Sequence, residues 1–576
     1  MNSYSKIATG ALLLLSCLAS AQKDEIGTEV VNVVKPYTPT ISDAFKVKET
    51  PVLDEEATTR KENIEYQIFS FPVASTFAPS KGKAAGVDRE PQPELYPHYA
   101  TVAGGNYGTL NAELFLTGRL GESGYIGGMV RHLSSAGGID EVRLEDGFNN
   151  SSVDITYGNK TDALSFTADV GYQNQGYNWY GLPSTILDNL TPADQTEFLA
   201  RINPSHTFHN AYIGGNLKVN EGFFDEASVR YERFWDSEDV QENRFYAVPK
   251  LDFEIAETNI KMRFIVDHVS GNFPSSFNTQ RDAYSFTNFG VQPGFTIVRD
   301  DWSVAVGAAA FYSLAGEGGD SKFFVYPQIN ASYNVVGDLM IFYAGAEGTL
   351  DQNSYRQFTT ENPFLAPRQL VAPTDRQFDV FAGLKGKLAG RVSYNVRGSY
   401  ISEQNRALIK ANDFFPVASE DYEFGNSFGV VYDDMSTLSV FGEIQAEFSK
   451  NVSFGINGTF NSYNTDSQRE AWNLPEMRVG ATLDVTITPK WYAGADAFYV
   501  GERKDQQDYL GDTIGSPVVT LDPFVDLNAH IGYKHNERLT GFVRGHNLLG
   551  ENYQRWLNYP VQGLQIMVGA SYKFDF

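Results

Sequence analysis

The chain has almost no cysteine, since Cys17 is the only one among its 576 residues. A structural disulfide or a thiolate metal site is therefore excluded beyond that position. Long hydrophobic runs are missing too: after the first twenty or so residues none approaches the roughly 18 consecutive apolar residues of a membrane-spanning helix. Positive charge is scarce, with 45 Lys and Arg against 71 Asp and Glu, and the net charge of −26 argues against nucleic acid as a partner.

The N-terminus predicts a secretory signal peptide over residues 1–21. Lys6 precedes the apolar run Ile7–Leu18, and Ala19-Ser20-Ala21 offers small residues for cleavage after Ala21. The run is too short to remain as a spanning helix. Leu14–Cys17 also loosely resembles a lipoprotein cleavage site, which is the alternative for this segment.

The last residues of the chain alternate strictly. From Leu564 to Phe576 every second residue is apolar or aromatic, and the residues between them are mostly small or polar. A strand points successive side chains to opposite faces, so this segment predicts a strand with one wholly apolar face. Similar alternation predicts further strands over 164–172, 452–460, 477–487 and 527–533.

This pattern predicts an all-β protein, a transmembrane antiparallel β-barrel. Aromatic residues make up 14% of the chain, with 41 Phe and 32 Tyr, and girdles at the two membrane interfaces would account for them. A soluble acidic β-protein is the alternative. Ten short turns predict eleven hairpins and about 22 strands; they lie near residues 121–122, 159–160, 220–221, 257–258, 300–301, 337–338, 389–390, 450–451, 489–490 and 536–537.

Three long connections are expected at the opposite end of the barrel, over 175–206, 350–376 and 403–435. The first two are rich in aromatic residues and proline. Two interpretations remain open for them: they bind ligands or partners, or they pack together over the mouth of the barrel. The residues concerned are Tyr177, Trp179, Tyr180, Tyr355, Phe358, Phe364, Pro363, Pro367 and Pro373.

The closing strand resembles the C-terminal strand of bacterial outer-membrane barrels. The resemblance makes Tyr572, Phe574 and Phe576 an expected assembly signal and implies outer-membrane lipid and the barrel assembly machinery as partners. Further segments, in their order along the chain, resemble the TonB-dependent receptor family of the Bacteroidota type. These segments are 104–113, 524–528, 542–549, 552–553 and 559–563.

The resemblance covers most of the predicted barrel, residues 97–576, and fails before it. The N-terminal extension, residues 22–96, is shorter than the plug domain typical of the family and lacks its Arg-Gly-Pro segment, so a reduced or missing plug is expected. One stretch resembles a TonB box, a segment that adds a strand to TonB; an ordinary β-prone segment is the alternative. Its residues are Thr28, Glu29, Val30, Val31, Val33 and Val34.

The implied function is binding and import of a bulky nutrient or chelate, with energy supplied through TonB. The alternatives are a plugless barrel that serves as a subunit of an envelope protein complex, and a passive diffusion channel. A lumen of this width must be occluded, so we expect the N-terminal extension and at least one long loop to enter it. Charged residues of the wall either line a substrate path or form a salt-bridge lattice: Lys250, Asp252, Glu254, Lys261, Arg263 and Asp267.

Catalytic chemistry is not expected, nor is a cofactor or a metal. Gly425–Gly429 matches G-x-S-x-G, but a nucleophile elbow needs a following helix, and a β-like run follows here. His206 and His209 are three positions apart, which places them on opposite faces of a strand.

Overall fold

The structure of the chain is a computed structural model. It describes residues 96–576 apart from 189, 256–257, 274–281, 317–318, 389–390, 415–419 and 508–516. The predicted signal peptide and the residues that resemble a TonB box, Thr28 to Val34, lie outside the described residues.

Twenty-two strands form one sheet. They are β1 (His98–Gly105), β2 (Leu110–Leu120), β3 (Gly124–Ser135), β4 (Phe148–Lys160), β5 (Leu164–Asn178), β6 (Ser205–Val219), β7 (Phe224–Asp236), β8 (Gln241–Ile255), β9 (Thr258–Phe273), β10 (Asp282–Arg299), β11 (Trp302–Ala315), β12 (Lys322–Val336), β13 (Met340–Asp351), β14 (Thr374–Leu388), β15 (Val392–Ala411), β16 (Phe428–Ser449), β17 (Val452–Thr465), β18 (Met477–Thr486), β19 (Trp491–Val500), β22 (Phe524–Lys534), β23 (Leu539–His546) and β26 (Gln565–Phe574).

Small elements lie in the connections. Two short hairpins are outside the sheet, β20 (Arg503–Gln506) with β21 (Val518–Leu521), and β24 (Gln554–Trp556) with β25 (Tyr559–Pro560). The helices are α1 (Ser184–Asp188), α2 (Pro192–Leu199) and α3 (Tyr355–Glu361). No helix in the described part of the chain is long and apolar enough to cross a membrane.

The sheet closes on itself. Each strand pairs antiparallel with the next, and β26 pairs with both β23 and β1, from His98 opposite Phe574 to Gly105 opposite Met567. A closed sheet has no edge strand with unpaired backbone groups. The predicted antiparallel barrel of about 22 strands is therefore confirmed.

The barrel is apolar outside. In β26, Ile566, Val568 and Tyr572 are 46%, 61% and 46% exposed, whereas Met567, between two of them, is 1% exposed and faces inward. The same alternation of exposed apolar residues recurs around the sheet, among others at Val153, Ile155, Val170, Ile213, Val229, Val380, Val396 and Val440. An apolar outer band of this kind is the lipid-facing surface of a membrane-spanning barrel.

The connections at the two ends of the barrel differ. All ten predicted turns fall at or beside the short links at one end, which we call the turn end; the eleven connections at the other end, the loop end, include every long one. Aromatic residues flank the apolar band at the turn end, where Trp491 and Tyr533 pack with ring centroids 4.8 Å apart. Such a girdle is typical of membrane barrels.

One predicted boundary was wrong. The connection expected over 403–435 is only 412–427, because β15 continues to Ala411 and β16 already begins at Phe428. A β-bulge at Glu403/Arg406, with Asn405 at φ 56°, inserts one extra residue into β15 and shifts the alternation by one position. Pairing then continues to Ala411 opposite Phe428.

Candidate functional site

A cluster of buried apolar residues closes the loop end; we call it the cap. It combines residues from strands ten places apart in the ring of 22, so its loops must meet across the mouth of the barrel. The aromatic residues of the first two long connections pack together here, as one of the two interpretations of these connections predicts. The cap consists of Phe208, Phe234, Val240, Phe273, Tyr355, Phe358, Leu365, Val371, Ile409, Ala411, Phe428, Val430, Leu521, Trp556, Leu557 and Tyr559.

Tyr559 joins the long connections at the centre of the cap. Its ring stacks on Phe364 at 3.8 Å between centroids and contacts Tyr180 at 4.7 Å. Its hydroxyl donates to the backbone oxygen of Asn426 at 2.5 Å. Four connections of the loop end therefore meet at one fully buried side chain, which is 1% exposed.

The connection 352–373, which we call the strap, is held by acidic residues of the wall. Glu242 accepts hydrogen bonds from the backbone N–H groups of Tyr355 and Arg356, at 2.7 and 3.2 Å. The Tyr355 hydroxyl donates to Asp236 at 3.1 Å. Helix α3 begins in the strap because Ser354 caps it, accepting from the N–H of Gln357 at 3.1 Å.

Beneath the strap lies a cavity of about 630 Å³. Its walls come from β7 to β11 and β13 to β15, and the start of the strap covers it. The volume is within the usual range of small-molecule sites. It is lined by Arg230, Glu232, Arg244, Tyr246, Arg263, Ile265, Asp267, Asn288, Phe311, Thr349, Leu350, Asp351, Gln352, Asn353, Gln357, Thr374, Arg376 and Arg406.

The charged side chains of the cavity are predominantly basic, five arginines against three carboxylates. Arg244 binds Asp267 through two hydrogen bonds of 2.9 and 2.7 Å. Arg376 bridges Asp351 and Glu403, at 3.1 and 3.2 Å. These pairs fix the geometry of the wall and neutralise part of its charge.

Arg263 differs from the other arginines of the cavity. It donates to two neutral groups, the amide of Gln292 at 3.1 Å and the hydroxyl of Tyr246 at 3.3 Å. None of the ion pairs between described residues includes it. Its positive charge is therefore available to a bound anion.

The hairpin β20–β21 also binds the cap, through Asp505. Asp505 is fully buried and accepts hydrogen bonds from the N–H of Ala411 at 2.9 Å and from the amide of Asn473 at 2.7 Å. Burial raises the pKa of the Asp505 carboxyl to about 6. Burial, with the charges of Arg478 and Arg555, lowers the pKa of Arg503 in the same hairpin to about 10.

The six charged wall residues predicted from the sequence lie in different surroundings in the structure. Lys250 pairs with Glu226 at 3.0 Å, and Asp267 with Arg244, as in a salt-bridge lattice. Arg263 and Asp267 also line the cavity. The remaining members lie in the wall nearer the turn end, where Asp252 is opposite Lys261 and Glu254 is opposite Asn259.

Neither the G-x-S-x-G match at 425–429 nor the pair His206 and His209 forms a reactive site. Ser427 donates to the backbone oxygen of Tyr422 at 2.6 Å, and β16 follows directly where a nucleophile elbow needs a helix. His206 is buried beside Asp236, whereas His209 is bound to the hydroxyl of Tyr172. The described residues contain no group of three or more His, Cys, Asp or Glu arranged to hold a metal.

The residues that build the cavity and hold the strap were missed in the sequence, apart from Arg263 and Asp267. Glu242 and Arg376 are single charges at inward positions of strands, and their partners are far away in the chain. Alternation along the strand predicts that these positions face inward. It does not distinguish them from the other charged residues of the wall.

The barrel is similar in fold to several solved outer-membrane receptors. The siderophore receptor PirA from Acinetobacter baumannii has a TM-score of 0.61 at 11% identity, over 83% of this chain and 80% of that one. The ferric-catecholate import receptor Fiu from E. coli K12 has a TM-score of 0.59 at 11% identity, over 84% and 82%. The ferripyoverdine receptor of Pseudomonas aeruginosa, bound to ferripyoverdine, has 0.60 at 12%, over 84% and 72%.

At sequence identities of 11–12%, the similarity to these receptors shows the fold alone. No family model matches the sequence, and no curated protein matches it either.

Proposed function

We propose that the chain is an outer-membrane receptor of the TonB-dependent type, which binds and imports a bulky nutrient or chelate. The observation that carries this proposal is the cavity of about 630 Å³, basic in charge, under a closed cap in a 22-stranded barrel. The likeness to siderophore and ferric-chelate receptors supports it. The charge of Arg263 favours an anionic ligand.

The rest of the chain is assigned in line with this function. Residues 1–21 are a signal peptide, residues 22–96 form a periplasmic or luminal extension with the segment that resembles a TonB box, and residues 97–576 form the barrel. Tyr572, Phe574 and Phe576 are the signal by which the assembly machinery inserts the barrel into the outer membrane. The loop end then faces the outside and the turn end the periplasm.

The deciding test is a pull-down with the periplasmic domain of TonB. We expect the full-length protein to be retained and a variant lacking residues 28–34 to be lost. Deletion of residues 54–60, an equally long and charged piece of the N-terminal extension, is the control, and this variant should be retained. Absence of retention for the full-length protein would contradict import driven by TonB.

A second candidate function is a non-transporting subunit of an envelope complex. The observation that favours it is the close packing of side chains in the cap. Tyr355, Leu365 and Tyr559 are at most 1% exposed, and four connections meet at Tyr559. Purification in mild detergent separates the two functions. Partner proteins that co-purify in stoichiometric amount, together with no binding to TonB, would favour the subunit.

A further inference from the structure

The lipid-facing side of β5, β6 and β7 carries a hollow of about 510 Å³, which we call the groove. It is bounded mainly by apolar side chains and lies at the middle of the outward apolar run that extends from Ala211 to Val219 in β6. Among its lining residues are Phe166, Ile213, Gly215, Leu217, Val229 and Tyr231.

Gly215 forms the floor of the groove. A Cβ atom at this position would lie 2.6 Å from the backbone oxygen of Thr167, so the close approach of β5 and β6 requires glycine. Because Gly215 points outward and has no side chain, a gap remains between Ile213 and Leu217. The groove is therefore a consequence of the strand packing and persists in the folded barrel.

Arg233 lies just above the groove, toward the loop end. It is two residues beyond Tyr231 in β7, on the same face. Its guanidinium donates to the side-chain oxygens of Asn243 at 3.1 Å and of Gln241 at 2.8 Å, which are both neutral. A guanidinium has five N–H donors, so further donors remain for a ligand.

The charge of Arg233 is not neutralised by the protein. No ion pair between described residues includes it. The neighbouring outward-facing positions carry no carboxylate: they are Thr207, His209, Ala211, Tyr231, Trp235, Gln241, Asn243 and Phe245. In a chain with a net charge of −26, this makes an isolated cationic spot on the lipid-facing surface.

Aromatic rings place this spot at the membrane interface. His209 stacks on Trp235 with centroids 5.1 Å apart and binds the hydroxyl of Tyr172 at 2.8 Å. Arginine on the lipid face costs about 0–1 kcal/mol near an interface and about 2–4 kcal/mol at the midplane. Arg233 is thus tolerated at the level where lipid headgroups lie.

The distance between Arg233 and the groove fits one lipid molecule. Arg233 lies four positions after Val229 in β7, which is about 14 Å along the strand at 3.4 Å per residue and about 10 Å along the membrane normal at a strand tilt of about 45°. Half of the hydrocarbon core is about 15 Å thick. A lipid whose anionic headgroup meets Arg233 would therefore place an acyl chain in the groove.

We infer that this surface binds lipid A, the phosphate-bearing glycolipid of the outer leaflet, with a phosphate on Arg233 and an acyl chain in the groove. The inference rests on the proposed outer-membrane location with the loop end outside. Guanidinium groups bind phosphate through charge-assisted, often bidentate hydrogen bonds. The apolar groove adds a contact with the acyl chain, which a headgroup alone cannot make.

The test is native mass spectrometry of the delipidated full-length protein, titrated with lipid A in mild detergent. We expect R233Q to weaken binding about tenfold, as for the loss of one charge-assisted hydrogen bond. A227L, which fills the groove from its side, should weaken binding by a similar factor. R143Q removes an exposed charge in the connection 136–147, and A382L enlarges an exposed, outward-facing residue of β14, eight places from β6 in the ring; both should bind like the wild type.

Two further lipids identify the occupant. Dephosphorylated lipid A should bind to the wild type as weakly as lipid A binds to R233Q, and phosphatidylethanolamine should bind more weakly than lipid A. Wild-type affinity of R233Q, or equal affinity for lipid A and phosphatidylethanolamine, would overturn the inference. The TonB pull-down does not depend on this lipid, so failure of one proposal is distinguishable from failure of the other.

Discussion

At the scale of single residues, Asp505 shows how burial makes the loop end sensitive to pH. Its carboxyl is fully buried in the hairpin β20–β21, and its pKa is raised to about 6. The folded state then binds the proton more tightly than the unfolded chain does. The stabilisation is complete below about pH 4 and is lost as the pH rises through 6.

We therefore expect the contact between β20 and the end of β15 to loosen between pH 4 and pH 6.5, by a free energy on the order of 3 kcal/mol at 1.36 kcal/mol per pH unit. Hydrogen exchange of the Ala411 and Gln506 amides, which donate to Asp505, measures it as protection factors. D505N should remove the pH dependence. Equal pH dependence in D505N and the wild type would contradict this origin.

At the scale of elements, the closing strand β26 combines two roles. It pairs with β1 and β23, and its last aromatic residues lie at the turn end, where Phe576 is 98% exposed and 4.7 Å from His98 between ring centroids. The contact with His98 is peripheral, so the exposed ring contributes little to the folded barrel. Its exposure fits the proposed recognition during assembly.

We expect F576S to lower the amount of folded barrel in the outer membrane several-fold without changing the thermal stability of the barrel that does fold. Heat-modifiable mobility in gels measures the folded fraction. D575S is the control, because the pair of Asp575 with Arg538 is exposed to solvent, and such ion pairs add little to stability. Equal assembly of F576S and D575S would argue against an assembly signal.

At the scale of the whole molecule, the barrel depends on closure between β1 and β26, which are 8 and 10 residues long against 20 and 22 for β15 and β16. Thr101 and Ser571 are opposite in register, with hydroxyl oxygens 3.0 Å apart. Directly opposed antiparallel positions have the Cα spacing that a disulfide needs.

We expect T101C/S571C, in a C17S background, to form a disulfide on mild oxidation. The oxidised barrel should keep a more compact gel mobility after boiling, and a reductant should reverse it. T101C/S303C is the control, because β11 lies ten places from β1 in the ring. A disulfide in the control alone, or in neither variant, would contradict the observed closure.

The sequence by itself determined the fold of this protein. Alternation from Leu564 to Phe576 and in similar segments assigns the two faces of each strand, because side-chain direction in a strand has a period of two. The ten turns then set the number of strands. The bulge at Asn405 marks the limit of this reasoning, because one inserted residue reverses the faces of β15 and concealed where β15 and β16 end.

Only the tertiary structure decided how the loop end is closed and where a ligand fits. The cap joins residues far apart in the chain, such as Phe364 and Tyr559, and Glu242 holds a strap that begins more than a hundred residues later. The cavity arginines and the lipid-facing groove likewise depend on which strands are neighbours and how closely they approach. A local pattern specifies the faces of a strand, but contacts across the ring exist only once the barrel has closed.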